Sequence, residues 1–500
     1  MRAKRWLLVG WLASLLLLSG SAAVVSPSPA ADNCYTIVVG RNASADGSVI
    51  IAHNEDDAGE MIVNLRKIRP RDYGSPQRIA LGKGAVYETD GKTLGFLWIE
   101  ATKQEFADSF INQAGVLVTS DSCPSNETRD DVTDGGIGYM LRRLIAEKAG
   151  SAKEAIKIAA ALVEKYGYTG SGRTYTIADK NEAWMMAIIK GRHWYAQRIP
   201  DDEVAIIPNH YTIRTINPDD ASRFMGSPDI VDYARKNGWY DAAKDGPFDF
   251  KKAFSKVFTA DLTLDRNTLR HWRGLNLLSG RGWEINDAYP FSFKPAKKVS
   301  AESLMGILRD HYEGTEYDVS DGYKNGSPNR MKYRSICTGT TINSFIASLS
   351  AARPEPISIF LWIALGKPDT TAYMPLYYGV DSLPPGSGLG ADIHDYTDFY
   401  ARHFDDAEWQ PQKGGLLNNK VFLLQKIAEE DYAKMRPEID ADLRPAEKEF
   451  VENRGKIESD FADLYAKNEK EALRKLTAYV AAAFARIGEI TSGILAKHPR

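Results

Sequence analysis

The chain has 500 residues, of which 43% are hydrophobic and 26% are charged. This composition is typical of a globular protein and excludes collagen, coiled coil and wholesale disorder. Lys and Arg number 63 and Asp and Glu 66, giving a formal net charge of -3. That balance does not favour nucleic-acid binding, which calls for a basic face. The length allows about three domains, or one large catalytic domain with additions.

The first residues have the pattern of a secretory signal peptide. A basic segment, 2–5, precedes the uncharged stretch 6–31, in which small residues occupy positions 20–23. Such small residues suit cleavage by signal peptidase. The alternative is an uncleaved membrane anchor, because the apolar stretch is nearly long enough to span a bilayer.

We therefore predict a signal peptide at 1–25 and a short propeptide at 26–33, with export to the periplasm or the cell exterior. No later stretch of the sequence approaches the length of a membrane span, so we expect no stable membrane insertion after processing. A homo-oligomer is left open.

The chain contains three cysteines, Cys34, Cys123 and Cys337. At most one pair can form a disulfide, so one thiol stays unbonded. We expect Cys123 and Cys337 to be structural, and a bond between them is left open. Cys34 follows the predicted signal peptide closely, and a free thiol is a liability in an oxidising compartment. Cleavage just before Cys34 would make it the first residue.

The first half of the chain predicts two hairpin regions and two helices. Asp46-Gly47 is a strong hairpin signal between strands at 35–39 and 48–53. A second hairpin-like region joins 94–101 to 109–120. Helices are predicted at 138–148 and 152–165, and Ser151 with Glu154 forms a capping box for the second.

A four-strand β-meander follows, and then a less regular middle and a helical end. The predicted strands of the meander are 174–177, 183–189, 194–198 and 203–207. Residues 217–298 predict helices and long loops. An apolar run at 357–365 predicts a buried strand, and helical periodicity begins near Val421. This layout predicts the α+β class.

No familiar motif for phosphate, metal or serine chemistry is present in the sequence. The eight histidines show no ligand spacing, so we predict neither a metal nor a cofactor. Cys34 as a first residue could act alone, because an α-amino group titrates at about 7.7–8.0 and can take the proton of the thiol. The alternative is a buried structural cysteine on a strand.

Several blocks of sequence, in order from Cys34 to Gly379, resemble the bacterial cysteine dipeptidase family of N-terminal-nucleophile hydrolases. That family is related to penicillin V acylases and bile-salt hydrolases. The blocks that carry the resemblance are Cys34–Gly40, Ala45–Ser48, His53–Asp56, Asn112–Val116, Ala178–Asp179, Glu182–Trp184, Pro208–Asn209 and Arg334–Gly379.

The resemblance implies a four-layer αββα sandwich formed by 34–410, with 411–500 as a helical C-terminal extension. It also implies hydrolysis of dipeptides through an acyl-enzyme on Cys34. The residues before Cys34 would be removed by autocatalysis or by a protease.

Carried over by position, Cys34 would be the nucleophile and its amine the base. Asp56 would orient that amine, and the side-chain amide of Asn209 would stabilise the oxyanion, where a single donor is worth roughly 2.7–4 kcal/mol. Without the resemblance, the sequence predicts that Asp56 and Asn209 are turn residues.

The resemblance further implies an arginine against the nucleophile, for which Arg334 is our candidate and Arg330 and Arg273 are rivals. His53 stands where the related acylases have arginine. We predict His53 and Asn112 as substrate-binding residues.

Two other functions are compatible with the sequence. One is an amidase of N-acylated amines, of the penicillin V or bile-acid type, on the same fold. The other is an exported peptide-binding protein without turnover, in which Cys34 is only a processed terminus or a buried thiol.

Overall fold

The computed structural model describes residues 34–57, 61, 63–81, 83–388, 402–404 and 416–499. The predicted signal peptide 1–25 and propeptide 26–33 lie outside these residues, and so does the predicted boundary between 410 and 411.

The described residues form a mixed α/β fold rich in β-sheet. The strands are β1 Tyr35–Val39, β2 Val49–Asp56, β3 Val63–Ile68, β4 Arg71–Asp72, β5 Gln77–Ala80, β6 Val86–Thr89, β7 Lys92–Thr93, β8 Phe96–Ala101, β9 Ser109–Asn112, β10 Leu117–Ser122, β11 Tyr168–Ala178, β12 Ala183–Gly191, β13 Trp194–Ile199, β14 Val204–Ile207, β15 Phe224–Gly226, β16 Ser292–Phe293, β17 Thr341–Leu349, β18 Ile359–Ala364 and β19 Met374–Tyr377.

The helices are α1 Met140–Lys148, α2 Ala152–Tyr166, α3 Ile230–Lys236, α4 Ala242–Asp245, α5 Phe250–Phe254, α6 Arg266–Ser279, α7 Ala301–Leu308, α8 Leu417–Glu430, α9 Tyr432–Tyr465 and α10 Glu469–Lys497. Two short 3₁₀ helices occupy Pro328–Arg330 and Glu355–Ile357.

Two large sheets organise the molecule. One has seven strands in the order β16-β14-β1-β2-β17-β18-β19, and the other has eight in the order β15-β13-β12-β11-β10-β9-β8-β3. Neighbouring strands within both sheets are antiparallel. Strand β2 lies between β1 and β17, and all its residues are buried. The start of β1 and the end of β2 are therefore held deep inside the protein.

Strand β12 shows how the eight-stranded sheet separates two cores. Met185 and Ala187 belong to the core that also contains strands of the seven-stranded sheet. Trp184, Met186 and Ile188 belong to a second core, which the sheet shares with α1 and α2. Successive residues of a strand point to opposite faces, so the alternation predicts one face toward the other sheet and one toward the helices.

Helices also lie against the seven-stranded sheet. Helix α6 contacts β14, and α7 contacts β2 and β17. The predicted cap of α2 is confirmed, because the Ser151 side chain accepts a hydrogen bond from the backbone N–H of Glu154.

The predicted four-strand meander is wrong at its last strand. β11, β12 and β13 are consecutive neighbours, but β14 pairs with β1 in the other sheet. The turn before β14 therefore carries the chain from one sheet to the other. Strand β17 was not predicted, because serine and asparagine at 343, 344, 348 interrupt its apolar pattern although all its residues are buried.

The helices α8, α9 and α10 pack on one another, and α9 and α10 also contact β19. The C-terminal apolar stripe therefore packs against the body of the protein. By length and composition α10 could cross a membrane, contrary to our expectation for the later sequence. Its contacts with α8, α9 and β19 bury part of its apolar face.

Asn112 is a structural residue of the turn between β9 and β10. Its side chain is buried and donates to the carbonyls of Ala146 and Ala149 at 2.9 and 2.7 Å. It accepts from the N–H groups of Ala114 and Val116. These bonds use both donors and the oxygen of its amide to fasten the turn to α1, so the structure does not present Asn112 to a substrate.

We expect Asn112→Ala to lower the free energy of unfolding by about 2–4 kcal/mol, because it leaves several buried backbone groups without partners. Asn325→Ala is the matched control, since Asn325 is exposed and its side chain donates to the carbonyl of Val319. Urea unfolding measures both changes. Equal stability of the two variants would contradict the structural role of Asn112.

Candidate active site

Cys34 lies immediately before β1 and is fully buried. The register of β1 and β2 pairs Tyr35 with Asn54, which places Cys34 opposite Glu55 at the end of β2. The Sγ atom of Cys34 donates to Glu55 Oε1 at 2.8 Å. The hairpin predicted around Asp46-Gly47 therefore brings the thiol to an acidic side chain far along the chain.

A line of buried polar side chains continues from Glu55 to the other sheet. Glu55 Oε2 lies 3.1 Å from His53 Nε2, and His53 Nδ1 lies 2.7 Å from Thr36 Oγ1. The Thr36 hydroxyl donates to Asp121 Oδ2, on β10, at 2.6 Å. The line of hydrogen bonds thus crosses from the seven-stranded to the eight-stranded sheet.

The hydrogen-bond pattern determines which atom of each pair is the donor. The Thr36 hydroxyl gives its only proton to Asp121, so its oxygen accepts from His53 Nδ1–H. A neutral imidazole of this tautomer has its lone pair at Nε2, where the Thr119 hydroxyl lies 3.3 Å away.

The electrostatic environment agrees with this arrangement. Burial, with Glu55 and Asp121 nearby, raises the pKa of the Cys34 thiol well above its ordinary value, so the intact chain holds a protonated thiol. Burial also lowers the pKa of His53 and favours its neutral form. Burial raises the pKa of Asp121 to about 6, against the opposing influence of His53 and Thr36.

Asp56, the next residue after Glu55, points to the other face of β2. Its carboxylate lies 3.0 Å from Arg334 and 3.5 Å from Arg270, and it accepts from the Thr341 hydroxyl at 2.6 Å. Burial raises the pKa of Asp56, and the two guanidinium groups oppose that effect. A buried carboxylate of this kind requires paired cations, which Arg334 and Arg270 provide.

Arg270, on α6, joins the nucleophile to the predicted oxyanion residue. Its Nη1 donates to the carbonyl of Cys34 at 3.3 Å. Its Nη2 donates to Asn209 Oδ1 at 2.5 Å and to the carbonyl of Pro208 at 3.2 Å. One guanidinium therefore contacts Cys34, Asn209 and Asp56.

Asn209 is held with its amide donor available. It follows β14 and has a left-handed backbone with φ of 73°, a conformation that asparagine tolerates better than most residues. Because Arg270 binds Oδ1, the orientation of the amide is fixed. The Nδ2 group is buried and has no hydrogen-bond partner among the described residues. A buried donor without a partner is costly, and such sites are often functional.

The structure brings together four of the predicted residues, Cys34, Asp56, Asn209 and Arg334. Arg334 contacts Asp56, whereas Arg270 is the arginine that reaches Cys34. The structure does not present His53 to a substrate, because its ring is fully buried and both nitrogens have partners.

The two rival arginines lie elsewhere. Arg330 is exposed and lies 3.4 Å from Glu429, and Arg273 binds Asp310. Arg270 and Glu55 were not predicted from the sequence. A signal for Glu55 was present in the predicted hairpin, which already placed the end of the second strand beside Cys34. The sequence carries no signal for Arg270, because α6 contains three arginines and only the folded structure distinguishes them.

All three cysteines are unbonded and buried. The pairing of Cys123 with Cys337 that the sequence left open is not formed. Cys123 accepts a hydrogen bond from the Thr174 hydroxyl.

Cys34, His53 and Glu55 form a group that could by distance hold a metal ion, since their ligand atoms lie within 4.8 Å of one another. Both ring nitrogens of His53 and both oxygens of Glu55 are already in hydrogen bonds, however. Hydrogen bonding alone therefore accounts for this arrangement.

The pKa of Asp121 predicts how stability depends on pH. Between its ordinary value of 3.8 and about 6, the folded chain binds more protons than the unfolded chain. The stability contribution of the protonated carboxyl is therefore complete below this interval and is lost as pH rises through it. Asp121→Asn removes this titration. From low to neutral pH, the free energy of unfolding of wild type should therefore fall by about 3 kcal/mol relative to that of the variant.

Urea unfolding of both proteins at the two ends of this interval measures the difference. Asp219→Asn changes an exposed carboxyl and is the control, for which we expect a constant offset. A constant offset for Asp121→Asn as well would contradict the raised pKa.

The sequence model of peptidase family C69 matches residues 33–404. A probable dipeptidase of Salmonella dublin is 28% identical over 395 residues, covering 76% of this chain and 87% of the relative. A dipeptidase of Bifidobacterium longum (strain NCC 2705) is 28% identical over 390 residues, 70% of this chain and 72% of the relative. Dipeptidase A of Lactobacillus helveticus is 26% identical over 370 residues, 70% and 76% of the two chains.

Among solved structures, penicillin V acylase from Agrobacterium tumefaciens has a TM-score of 0.34 at 10% identity, covering 72% of this chain and 89% of that one. A mutant conjugated bile acid hydrolase from Clostridium perfringens has a TM-score of 0.29 at 12% identity, covering 69% and 92%. TM-scores this low do not by themselves establish a shared fold.

The resemblance to the bacterial dipeptidases that the sequence predicts is confirmed by these matches. Because the family model covers most of the chain, from residue 33 to residue 404, this protein belongs to peptidase family C69.

Proposed function

We propose that the mature protein is an exported cysteine dipeptidase, with Cys34 as its first residue and nucleophile. The observation that carries the proposal is the buried Nδ2 donor of Asn209, which has no hydrogen-bond partner among the described residues while Arg270 holds both its oxygen and the carbonyl of Cys34. A preorganised donor next to a thiol is what an acyl transfer to cysteine requires.

Maturation is part of the proposal. In the 500-residue chain the nitrogen of Cys34 belongs to a peptide bond and cannot act as a base. Removal of the preceding residues gives an α-amine, which titrates at about 7.7–8.0. The predicted signal peptide supports export, and the two sheets with helices α6, α7, α1 and α2 packed on them support a four-layer αββα sandwich. Before cleavage, Glu55 is the acceptor that the thiol contacts.

The chemical steps follow from these groups. The α-amine of Cys34 takes the proton of the thiol, and the thiolate attacks the carbonyl carbon of the peptide bond. Asn209 Nδ2 donates to the oxyanion. As the C–N bond breaks, the leaving amine takes the proton from the α-ammonium, and a thioester on Cys34 remains. Water then gives a proton to the amine and attacks the thioester, which releases the acid and restores the thiol.

Asp56, Arg270 and Arg334 position the reacting groups. Asp56 lies between the two guanidinium groups, and Arg270 extends from it to Cys34 and Asn209. In the mature protein we assign Asp56 to the orientation of the α-ammonium of Cys34. Arg334 acts through Asp56, since this carboxylate is its partner in the site.

Cys34→Ala should reduce the hydrolysis of free dipeptides by about 10⁴-fold or more, because it removes the nucleophile. Cys123→Ala is the matched control, since Cys123 is also buried and unbonded but lies just after β10, against Thr174. We expect it to keep activity close to wild type. Amino-acid release is measured with free and with N-acetylated dipeptides, and circular dichroism checks that each variant is folded.

Full activity of folded Cys34→Ala would contradict the mechanism. Preference for the N-acetylated substrates would contradict the dipeptidase assignment and leave the nucleophile intact.

Arg270→Lys should lower kcat by about 10²-fold with little change in KM, because lysine keeps the charge but cannot bridge Cys34 and Asn209 with two donors. Arg273→Lys, one turn further along α6, is the control, since Arg273 binds Asp310 instead. Steady-state kinetics of the folded fraction measures both. Equal effects of the two substitutions would show that Arg270 acts only through stability.

A further inference from the structure

A second group of histidine, cysteine and carboxylate side chains lies outside the active site. His311, Cys337 and Asp369 are buried, and one ligand atom of each lies within 4.8 Å of the other two. His311 and Cys337 lie near the two ends of the irregular segment 309–340, and Asp369 lies in the turn after β18. Nothing in the proposed mechanism uses them.

The spacing of the group suits a metal ion. Zinc binds imidazole nitrogen at about 2.0–2.1 Å, carboxylate oxygen at about 2.0–2.2 Å and thiolate at about 2.3 Å. Tetrahedral bonds of these lengths separate the ligand atoms by about 3.3–3.6 Å. His311 Nε2 and Asp369 Oδ2 are 3.4 Å apart.

His311 is oriented to coordinate through Nε2. Its Nδ1 lies 3.1 Å from Glu313 Oε1, which also accepts from the Tyr323 hydroxyl at 2.8 Å. A carboxylate at one ring nitrogen is the usual support of a metal-binding histidine, because it fixes the tautomer and leaves a lone pair on the other nitrogen. Nε2 of His311 and Oδ1 of Asp369 are both buried and make no well-formed hydrogen bond with the described residues.

The active-site group differs from this second group in its hydrogen bonds. His53 has both ring nitrogens in hydrogen bonds, so hydrogen bonding alone explains its surroundings. In the second group Nε2 of His311 lies 3.4 Å from Asp369 Oδ2, which is longer than an ordinary hydrogen bond. A metal ion would supply a partner for His311 Nε2 and for Asp369 Oδ1, while Asp369 Oδ2 already accepts from the Tyr432 hydroxyl at 2.6 Å.

The charges in the group also permit a divalent ion. The carboxylates of Asp369 and Glu313 both lie against His311 and supply negative charge at the group. The nearby cations Lys367 and Arg436 are paired with other carboxylates, those of Glu429 and Asp440.

We propose that His311, Cys337 and Asp369 bind one structural Zn²⁺ ion, with both carboxylate oxygens of Asp369 able to serve as ligands. Such an ion would tie the two ends of the irregular segment 309–340 to each other and to the turn after β18. This segment contains only the short helix Pro328–Arg330 and carries Arg334 to Asp56. Long irregular segments of this kind need internal ties to hold one conformation.

The full-length protein is expressed in medium with zinc and then dialysed. Elemental mass spectrometry should then find one zinc ion per chain. Cys337→Ser should lose this metal. Cys123→Ser and Cys34→Ala should retain it, because the first changes a buried cysteine outside the group and the second removes the thiol of the active-site group. Removal of the zinc should lower Tm, and its return should restore Tm.

Cobalt gives a second measurement if Cys337→Ser does not fold. Co²⁺ added to metal-free Cys34→Ala should produce the intense near-ultraviolet absorption of a thiolate–cobalt bond. Zinc at background in the wild-type protein, with no cobalt absorption and no change of Tm, would overturn the proposal. So would a metal that Cys34→Ala loses and Cys337→Ser retains.

Discussion

The contacts of one buried guanidinium organise the active site. Arg270 reaches the carbonyl of Cys34, the amide oxygen of Asn209 and the carboxylate of Asp56, which belong to three separate parts of the chain. Its planar set of donors can hold several acceptors in a fixed geometry, which lysine cannot do. Without this group, Asn209 could rotate its donor away and Asp56 would lose a partner in a buried environment.

The second constraint is the burial of so many polar groups between the sheets. Cys34, Glu55, His53, Thr36 and Asp121 form hydrogen bonds in series, and all of them are buried. Each would be costly to bury alone, but as a connected series they satisfy one another. Burial in this series raises the pKa of the Cys34 thiol and raises the pKa of Asp121 to about 6.

Much of the fold was predictable from the sequence because its signals are local. The hairpin at Asp46-Gly47, the capped helix after Ser151 and the buried strand near Ile359 follow from turn residues and periodicity. The position of β14 in the other sheet was not predictable, because the local sequence does not determine which strands pair. For the same reason the sequence indicated Cys34 and Asn209 through resemblance but could not select Arg270 among the arginines of α6.

The most direct test is the N-terminal sequence and intact mass of the protein that hydrolyses dipeptides. We predict that the active chain begins at Cys34, because only then does the nucleophile carry an α-amine that can take its proton. Activity should rise in step with the fraction of chains that begin there. A fully active chain that retains residues before Cys34 would contradict the proposed mechanism, since the nitrogen of Cys34 would still be an amide.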